Sequence, residues 1–285
     1  MVHYEKLSNK NFSSLESLVN EFFLINKYRL NIISIYNGLN FFKKLLYKNK
    51  IIMILVDSKY VGYVYFERFS IDTIFINDLY IKDEFLEIVN LNSIKIFKDK
   101  VLFYQTFEDN LTKKILINNK FTKSETTMLL KYDLNIKIKI KHDENISFRQ
   151  FRIDKDEKLR CEIQNDIFNY NGREPINIRD IMYEEKQDYY RSDRCVFILL
   201  DNKEIGYAQI IYNKGMYMLV NFGILEEYRG LGYGEILLEY MINLAYDIKL
   251  SQLYIRVNDS NYKALNLYKK IGFKFLGYYN TFIKS

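Results

Sequence analysis

The sequence predicts a mixed α+β protein built as two tandem halves, each a central, mostly antiparallel sheet flanked by helices. Three observations predict it. The length of 285 residues suits two domains of ordinary size. Strand and helix patterns in the second half pair as hairpins early and alternate with helices late. The first half repeats the second: Ile54–Tyr63 aligns without a gap on Ile198–Tyr207, 144 residues on, so that Gly62 recurs as Gly206.

In both copies an apolar run meets Asp-Ser-Lys or Asp-Asn-Lys and resumes as alternating apolar positions, the pattern of strand, tight turn, strand. Asn77–Ile81 then resembles Asn221–Ile224, and Lys113–Phe121 resembles Ala264–Phe273. Each copy closes on a short strand, Thr127–Lys131 or Thr281–Lys284. The expected boundary lies near residue 140, giving halves 1–140 and 141–285, within the alternating Ile-Lys run 136–141 that reads as a strand or an exposed connector. In the second half the expected order is helix 155–169, helical segment 178–190, strands 195–201, 204–212 and 216–224, helix 233–248, strand 252–257, helix 261–271 and strand 274–283. The helix at 233–248 rests on Ile236, Leu237, Tyr240, Met241 and Leu244, which recur at helical spacing.

Composition narrows the function. An apolar fraction of 48% with 27% charged residues describes a globular chain with real cores. The net charge of +6 comes from 42 basic against 36 acidic residues, a mild excess that fits a solvated surface and an anionic ligand better than nucleic acid. Cys161 and Cys195 form neither a metal-spaced cluster nor a disulfide framework. Met1–Lys10 is polar and mixed, and apolar runs such as Ile51–Val56 fall far short of the roughly 20 residues of a membrane span, so a cytoplasmic protein without membrane contact is expected.

The segment that carries chemistry is Val220–Glu235, where a strand leads through Arg229-Gly230-Leu231-Gly232-Tyr233-Gly234 into the amphipathic helix. The first turn of a helix leaves N–H groups without partners, and the positive end of its dipole adds to them, so such a start is an anion site. Glycines at 230, 232 and 234 let the main chain turn sharply and approach a diphosphate, and Arg229 adds a charge. The Gly-x-Gly-x-Gly spacing, its late position and the absence of an acid at the end of Leu253–Val257 argue against a dinucleotide fingerprint, and no Gly-Lys-Ser/Thr is present.

Arg229, Gly232 and Gly234 match the pattern Arg/Gln-x-x-Gly-x-Gly/Ala, and Asn261, Ala264, Leu267, Tyr268, Gly272 and Phe273 match Asn-x-x-Ala-x-x-Leu/Phe-Tyr-x-x-x-Gly-Phe about 30 residues later. Through these two motifs the region 145–285 resembles the GNAT N-acetyltransferase superfamily, and the whole chain resembles a tandem GNAT protein with a degenerate first half. The resemblance implies two acyl-CoA N-acyltransferase-like domains. It also implies acetyl-CoA as cosubstrate and a primary amine of a small molecule or peptide as acceptor, attacking directly in a ternary complex. It assigns the pantetheine arm to the strand residues Phe222, Gly223 and Ile224, and the diphosphate to the main chain of Arg229, Gly230, Leu231, Gly232, Tyr233 and Gly234 with Glu235. Asn261 is assigned a second contact with the coenzyme, and Tyr268 the role of general acid toward the departing thiolate.

The sequence departs from the family where some members carry a glutamate: the strand before the loop reads Met218-Leu219-Val220. Glu174, Asp180, Glu184 and Glu185 in the polar run 169–194 read as surface residues. In the first half Lys82-Asp83-Glu84-Phe85-Leu86 replaces the loop and Leu116 stands at the position of Tyr268, so no coenzyme site is expected there. Two alternatives remain open: a module that binds the coenzyme without turnover, and another acyl transfer of the mycothiol-synthase kind.

Overall fold

The computed structural model describes residues 1–25, 31–107, 109–140, 144–170, 173–213 and 215–285. In chain order its elements are β1 (Val2–Lys6), α1 (Phe12–Ile25), α2 (Ile32–Asn37), α3 (Phe41–Lys48), β2 (Ile51–Val56), β3 (Lys59–Arg68), β4 (Thr73–Ile81), β5 (Val101–Phe107), α4 (Asn110–Asn118) and β6 (Thr122–Asp133). There follow β7 (Ile146–Gln150), α5 (Glu157–Ile167), α6 (Ile178–Glu185), β8 (Cys195–Leu200), β9 (Lys203–Asn213), β10 (Met216–Ile224), α7 (Tyr233–Asp247), β11 (Gln252–Asn258), α8 (Tyr262–Ile271) and β12 (Lys274–Lys284). The second-half elements fall where the sequence pattern puts them, with two differences: the helical segment expected over 178–190 ends at Glu185, and the Ile-Ser-Phe-Arg-Gln alternation forms an additional strand, β7.

The repeat has a local cause. Asp57 and Ser58 between β2 and β3, and Asp201 and Asn202 between β8 and β9, all have positive φ (47°, 65°, 48° and 64°). Two successive residues in this region make a two-residue hairpin turn whose twist matches its strands, and Asp and Asn tolerate it. In each copy the strand after the hairpin pairs antiparallel with a third strand that carries a bulge, near Asn77 in β4 and at Asn221–Phe222 in β10.

The chain divides into two compact units, Met1–Thr127 with Gly277–Ser285, and Met128–Leu276. This differs from a division into 1–140 and 141–285, and strand pairing is the reason. Tyr279–Lys284 of β12 pair antiparallel with β5, and Thr127 Oγ1 donates to Tyr279 O at 2.9 Å, so the end of the chain completes the first unit's sheet. Leu130 and Leu134 are buried in the second unit's core, and Leu134 N donates to Ser251 O at 2.9 Å. The expected boundary itself meets residues 141–143, outside the described residues. Of the Ile-Lys run, 136–140 form a connector whose Ile138 N and O are both bonded, at 2.8 Å each, by the side-chain amide of Asn243.

In the first unit the strand order is β1-β2-β3-β4-β5-β12-β6. Leu15, Leu18, Val19 and Phe22 of α1 recur at helical spacing and cover Met53, Tyr63, Tyr65 and Tyr80 on one sheet face. The connection from β4 to β5 is three short 3₁₀ turns (Asp83–Phe85, Leu91–Ser93, Lys95–Phe97), and Leu86, Val89, Leu91, Ile94 and Phe97 from this segment seal the other face. In the second unit the order is β6-β11-β10-β9-β8-β7, antiparallel for every pair of described register but the parallel β10–β11. There α7 takes the place of the 3₁₀ turns, burying Leu237, Leu238, Met241, Ile242 and Ala245 with Leu265 and Tyr268 of α8. On the opposite face Ile163 of α5 and Ile181 of α6 pack with Phe197, Tyr207 and Cys195. No helix among the described residues is long and apolar enough to cross a membrane.

Candidate active site

The parallel pairing of β10 with β11 is confined to Met218–Leu219 opposite Tyr254–Ile255. Beyond it the strands part, although β10 continues to Ile224 and β11 to Asn258. On its other side β10 slips register against β9 between Val220 and Gly223, where Asn221 adopts φ 51°. A bulge beside a gap in the ladder leaves main-chain groups of β10 without sheet partners.

A 3₁₀ turn at Glu226–Tyr228 then leads into the glycine loop. Gly230 and Gly232 have φ of 81° and 92°, a left-handed conformation that costs other residues more, and nothing lies within 4 Å of where a Cβ would stand on either. Among the described residues the N–H groups of Gly230, Leu231, Gly232, Tyr233 and Gly234 find no acceptor in the protein, whereas Glu235 N and Ile236 N turn back to Gly232 O at 3.0 and 3.3 Å. Five successive free amides thus stand at the start of the 15-residue helix α7. The row of free amides stops short of Arg229 and Glu235, because Arg229 N donates to Glu226 O at 3.2 Å and Glu235 N is spent inside the helix. The Arg229 side chain also faces the protein: its Nε donates to Ile224 O at 2.9 Å and its Nη2 to Ile167 O at 2.8 Å. It clamps the end of β10 to the end of α5.

Gly223 serves the same junction. A Cβ there would lie 2.2 Å from Ile167 Cγ2, so Gly223→Ala is expected to destabilise the protein by about 1–3 kcal/mol, read as a lowered midpoint in urea unfolding. Ile224 is buried in the core, while Leu231 is exposed and Tyr233 lies near Tyr228 with ring centres 6.4 Å apart. The Glu235 carboxylate pairs with Lys270 Nζ at 2.5 Å, which ties the start of α7 to α8. Asn261 Oδ1 caps α8 by accepting from Ala264 N at 3.2 Å. Tyr268 is 5% exposed between Phe222 and Phe273, with ring centres 6.0 and 5.9 Å away. Burial raises its phenol pKa above the ordinary value, so the proton is retained at neutral pH.

A model of the Acetyltransferase (GNAT) family matches residues 161–273, spanning α5 to the end of α8. The match lies wholly within the second half of the chain, its GNAT half. Over 57 residues the sequence is 40% identical to an N-alpha-acetyltransferase of Sulfurisphaera tokodaii, covering 20% of this chain and about a third (34%) of that relative's length. The fold of the whole chain is that of tandem GNAT proteins. It superposes on a GCN5-related N-acetyltransferase from Sphaerobacter thermophilus with TM-score 0.74 at 12% identity, covering 99% of this chain and 95% of that one. It superposes on a tandem GNAT protein from the clavulanic acid biosynthesis pathway with TM-score 0.69 at 9% identity, covering 100% and 98%.

The acidic residues of the GNAT half separate by environment. Glu174 is exposed, and Asp180 Oδ2 accepts from Asn177 N in the capping box that starts α6. Glu185 is partly buried, and burial with neighbouring Glu157 pushes its carboxyl up to about 7. Glu184 is no free surface residue: it bonds the fully buried Arg160 of α5 and accepts from Gln209 Nε2 at 2.8 Å. Sequence reasoning missed Arg160, Gln209 and Asn221. Only Asn221 carried a signal, its recurrence as Asn77 in the repeat.

Proposed function

We propose that the GNAT half is an N-acetyltransferase that moves an acetyl group from acetyl-CoA to a primary amine by direct attack in a ternary complex. The observation that carries this reading is the row of free amides at 230–234, set at a helix start beside the parting of β10 and β11. Those amides suit a diphosphate. The main chain of β10 from Phe222 to Ile224, which has no described pairing toward β11 although Gly223 and Ile224 stay in register with β9, suits the amide groups of a pantetheine arm. Arg229 acts by shaping the loop, Glu235 by fixing α7 to α8, and Asn261 by capping α8 on the second side of the coenzyme.

The thioester supplies the activated acetyl group. A neutral amine forms the N–C bond, the C–S bond breaks, and Tyr268 gives its proton to the leaving thiolate, while the proton lost by the nitrogen passes to water. Positioning accounts for much of the rate, and a main-chain N–H at the bulge is suited to the transient oxyanion. The name of the Sulfurisphaera relative makes a peptide with a free α-amine the first acceptor to test, and glucosamine, the substrate named for another structural neighbour with TM-score 0.68, the second. Cys161 and Cys195 are both free thiols, which suits a reducing cytoplasm.

The first half offers 3₁₀ turns in place of the loop and helix, and buried Leu116 in place of Tyr268. Calorimetry with acetyl-CoA is therefore expected to give one site per chain. No heat of binding, or two equivalent sites, would contradict the reading. One observation favours a second reading, a coenzyme-binding module without turnover: Met218-Leu219-Val220 puts no carboxylate on β10. Tight binding with only background thiol release across many amines would select it.

A further inference from the structure

A chain of polar side chains runs across the α5/α6 face of the second unit, and its polarity can be followed atom by atom. Arg160 on α5 is 1% exposed, and its Nη2 donates to Glu184 Oε2 on α6. Guanidinium only donates, so both Glu184 oxygens serve as acceptors, Oε1 taking Gln209 Nε2 at 2.8 Å. With its NH₂ group turned to Glu184, Gln209 turns its Oε1 the other way, to accept from Tyr207 Oη at 2.9 Å and from Asn221 Nδ2 at 3.2 Å. An amide side chain can ordinarily be flipped at little cost, but here the charged pair sets the direction of every amide after it. The chain ends on Asn221 Oδ1, which no donor reaches among the described residues.

The position of that oxygen is informative. Asn221 lies two residues beyond the last β10–β11 pair, in the bulge where the strands part, next to Phe222, whose ring faces Tyr268. Its φ of 51° is a conformation that a strand residue does not choose unaided. Nor does the ion pair behind it look like a device for stability. Arg160 keeps Nε and Nη1 buried without partners, and a buried pair with unmet donors is no better for folding than apolar residues of the same size.

We propose that Asn221 Oδ1 is the acceptor that orients the N–H of the attacking primary amine, and that Glu184, acting through Gln209, holds Asn221 in the orientation that presents it. This rests on the acetyl-transfer reading and deepens it. A neutral carbonyl oxygen aligns an amine without stabilising its ammonium form as a carboxylate does, which leaves the lone pair available. It also makes the missing strand carboxylate intelligible. Asn221 contacts the substrate, and Glu184 and Gln209 are positioning residues.

The test uses the whole chain, acetyl-CoA and three probes: a short peptide with a free α-amine, glucosamine, and n-butylamine. Asn221→Gly keeps the backbone angle and deletes the oxygen. It is expected to leave coenzyme affinity and thermal midpoint unchanged while kcat/KM for the amine falls at least about tenfold. Glu184→Gln is expected to lose a similar factor, and the double variant no more than Asn221→Gly alone. Should Glu184→Gln fold poorly, Gln209→Met takes its place in the cycle. Unchanged kcat/KM in Asn221→Gly, or losses that multiply in the double variant, would overturn this inference while acetyl transfer stands. A wild-type protein that acylates none of the three probes overturns both.

Discussion

Gly232→Trp is expected to weaken acetyl-CoA binding by at least about 100-fold, measured by calorimetry, with the protein still folded. The substitution acts on the ligand side because no protein atom lies within 4 Å of the added Cβ. An indole there covers the amides of Leu231 to Gly234, and an L-residue at φ 92° pays strain of order 1–3 kcal/mol, which the loop can relieve only by moving. Two orders of magnitude correspond to about 2.8 kcal/mol, the scale of a lost diphosphate contact with several amides. Gly232→Asn separates the two effects, since Asn tolerates the left-handed region, and it is expected to lose far less. Equal affinity of the Trp variant and the wild type would show that the amides at 230–234 hold no diphosphate.

Tyr268→Phe is expected to lower turnover by about 100-fold, the lower end of what a positioned acid contributes, with coenzyme affinity within about twofold. Stability decides what such a loss means. The Tyr268 hydroxyl has no hydrogen-bond partner among the described residues, so its removal is expected to change unfolding free energy by less than about 0.5 kcal/mol. A packing residue would thus show no kinetic change at all. The sign of the pH dependence follows from burial. The phenol's pKa lies above its ordinary value of 10.0, so Tyr268 stays protonated through neutral and mildly alkaline pH. Any ionisation below about pH 9 in the wild-type pH–rate profile then belongs to another group, chiefly the acceptor amine. Full activity of the Phe variant would remove Tyr268 from the mechanism.

The parts legible from sequence are those whose causes are local. Strand β10, the loop and α7 follow from apolar periodicity interrupted by three glycines, and the two hairpins follow from Asp-Ser and Asp-Asn between apolar runs. What was not legible depends on partners distant in sequence. The pairing of Tyr279–Lys284 with β5 reflects which open edge is available, a property that no pattern within β12 encodes. The turn of Arg229 toward Ile224 O and Ile167 O depends on where α5 ends, and the loop sequence contains nothing of α5. Glu184 read as a surface residue because a helix of eight residues with three acids resembles a solvated face; the buried Arg160 that engages it lies 24 residues earlier. Asn221 stood within a recognised strand, but a bulge takes its form from both flanking strands.

The placement of Gly277–Ser285 in the first unit has a consequence for how the protein is made. The ribosome delivers these nine residues only after all of the second unit, so β5 waits with an open, hydrogen-bonding edge while more than half the polypeptide is still to be synthesised. The N-terminal fold cannot close early and then be followed by an independent neighbour, as beads on a string would be. Nascent chains halted before Gly277 are accordingly expected to be sensitive to protease in the region of Val101–Phe107, and to become resistant there once Gly277–Ser285 have emerged and paired.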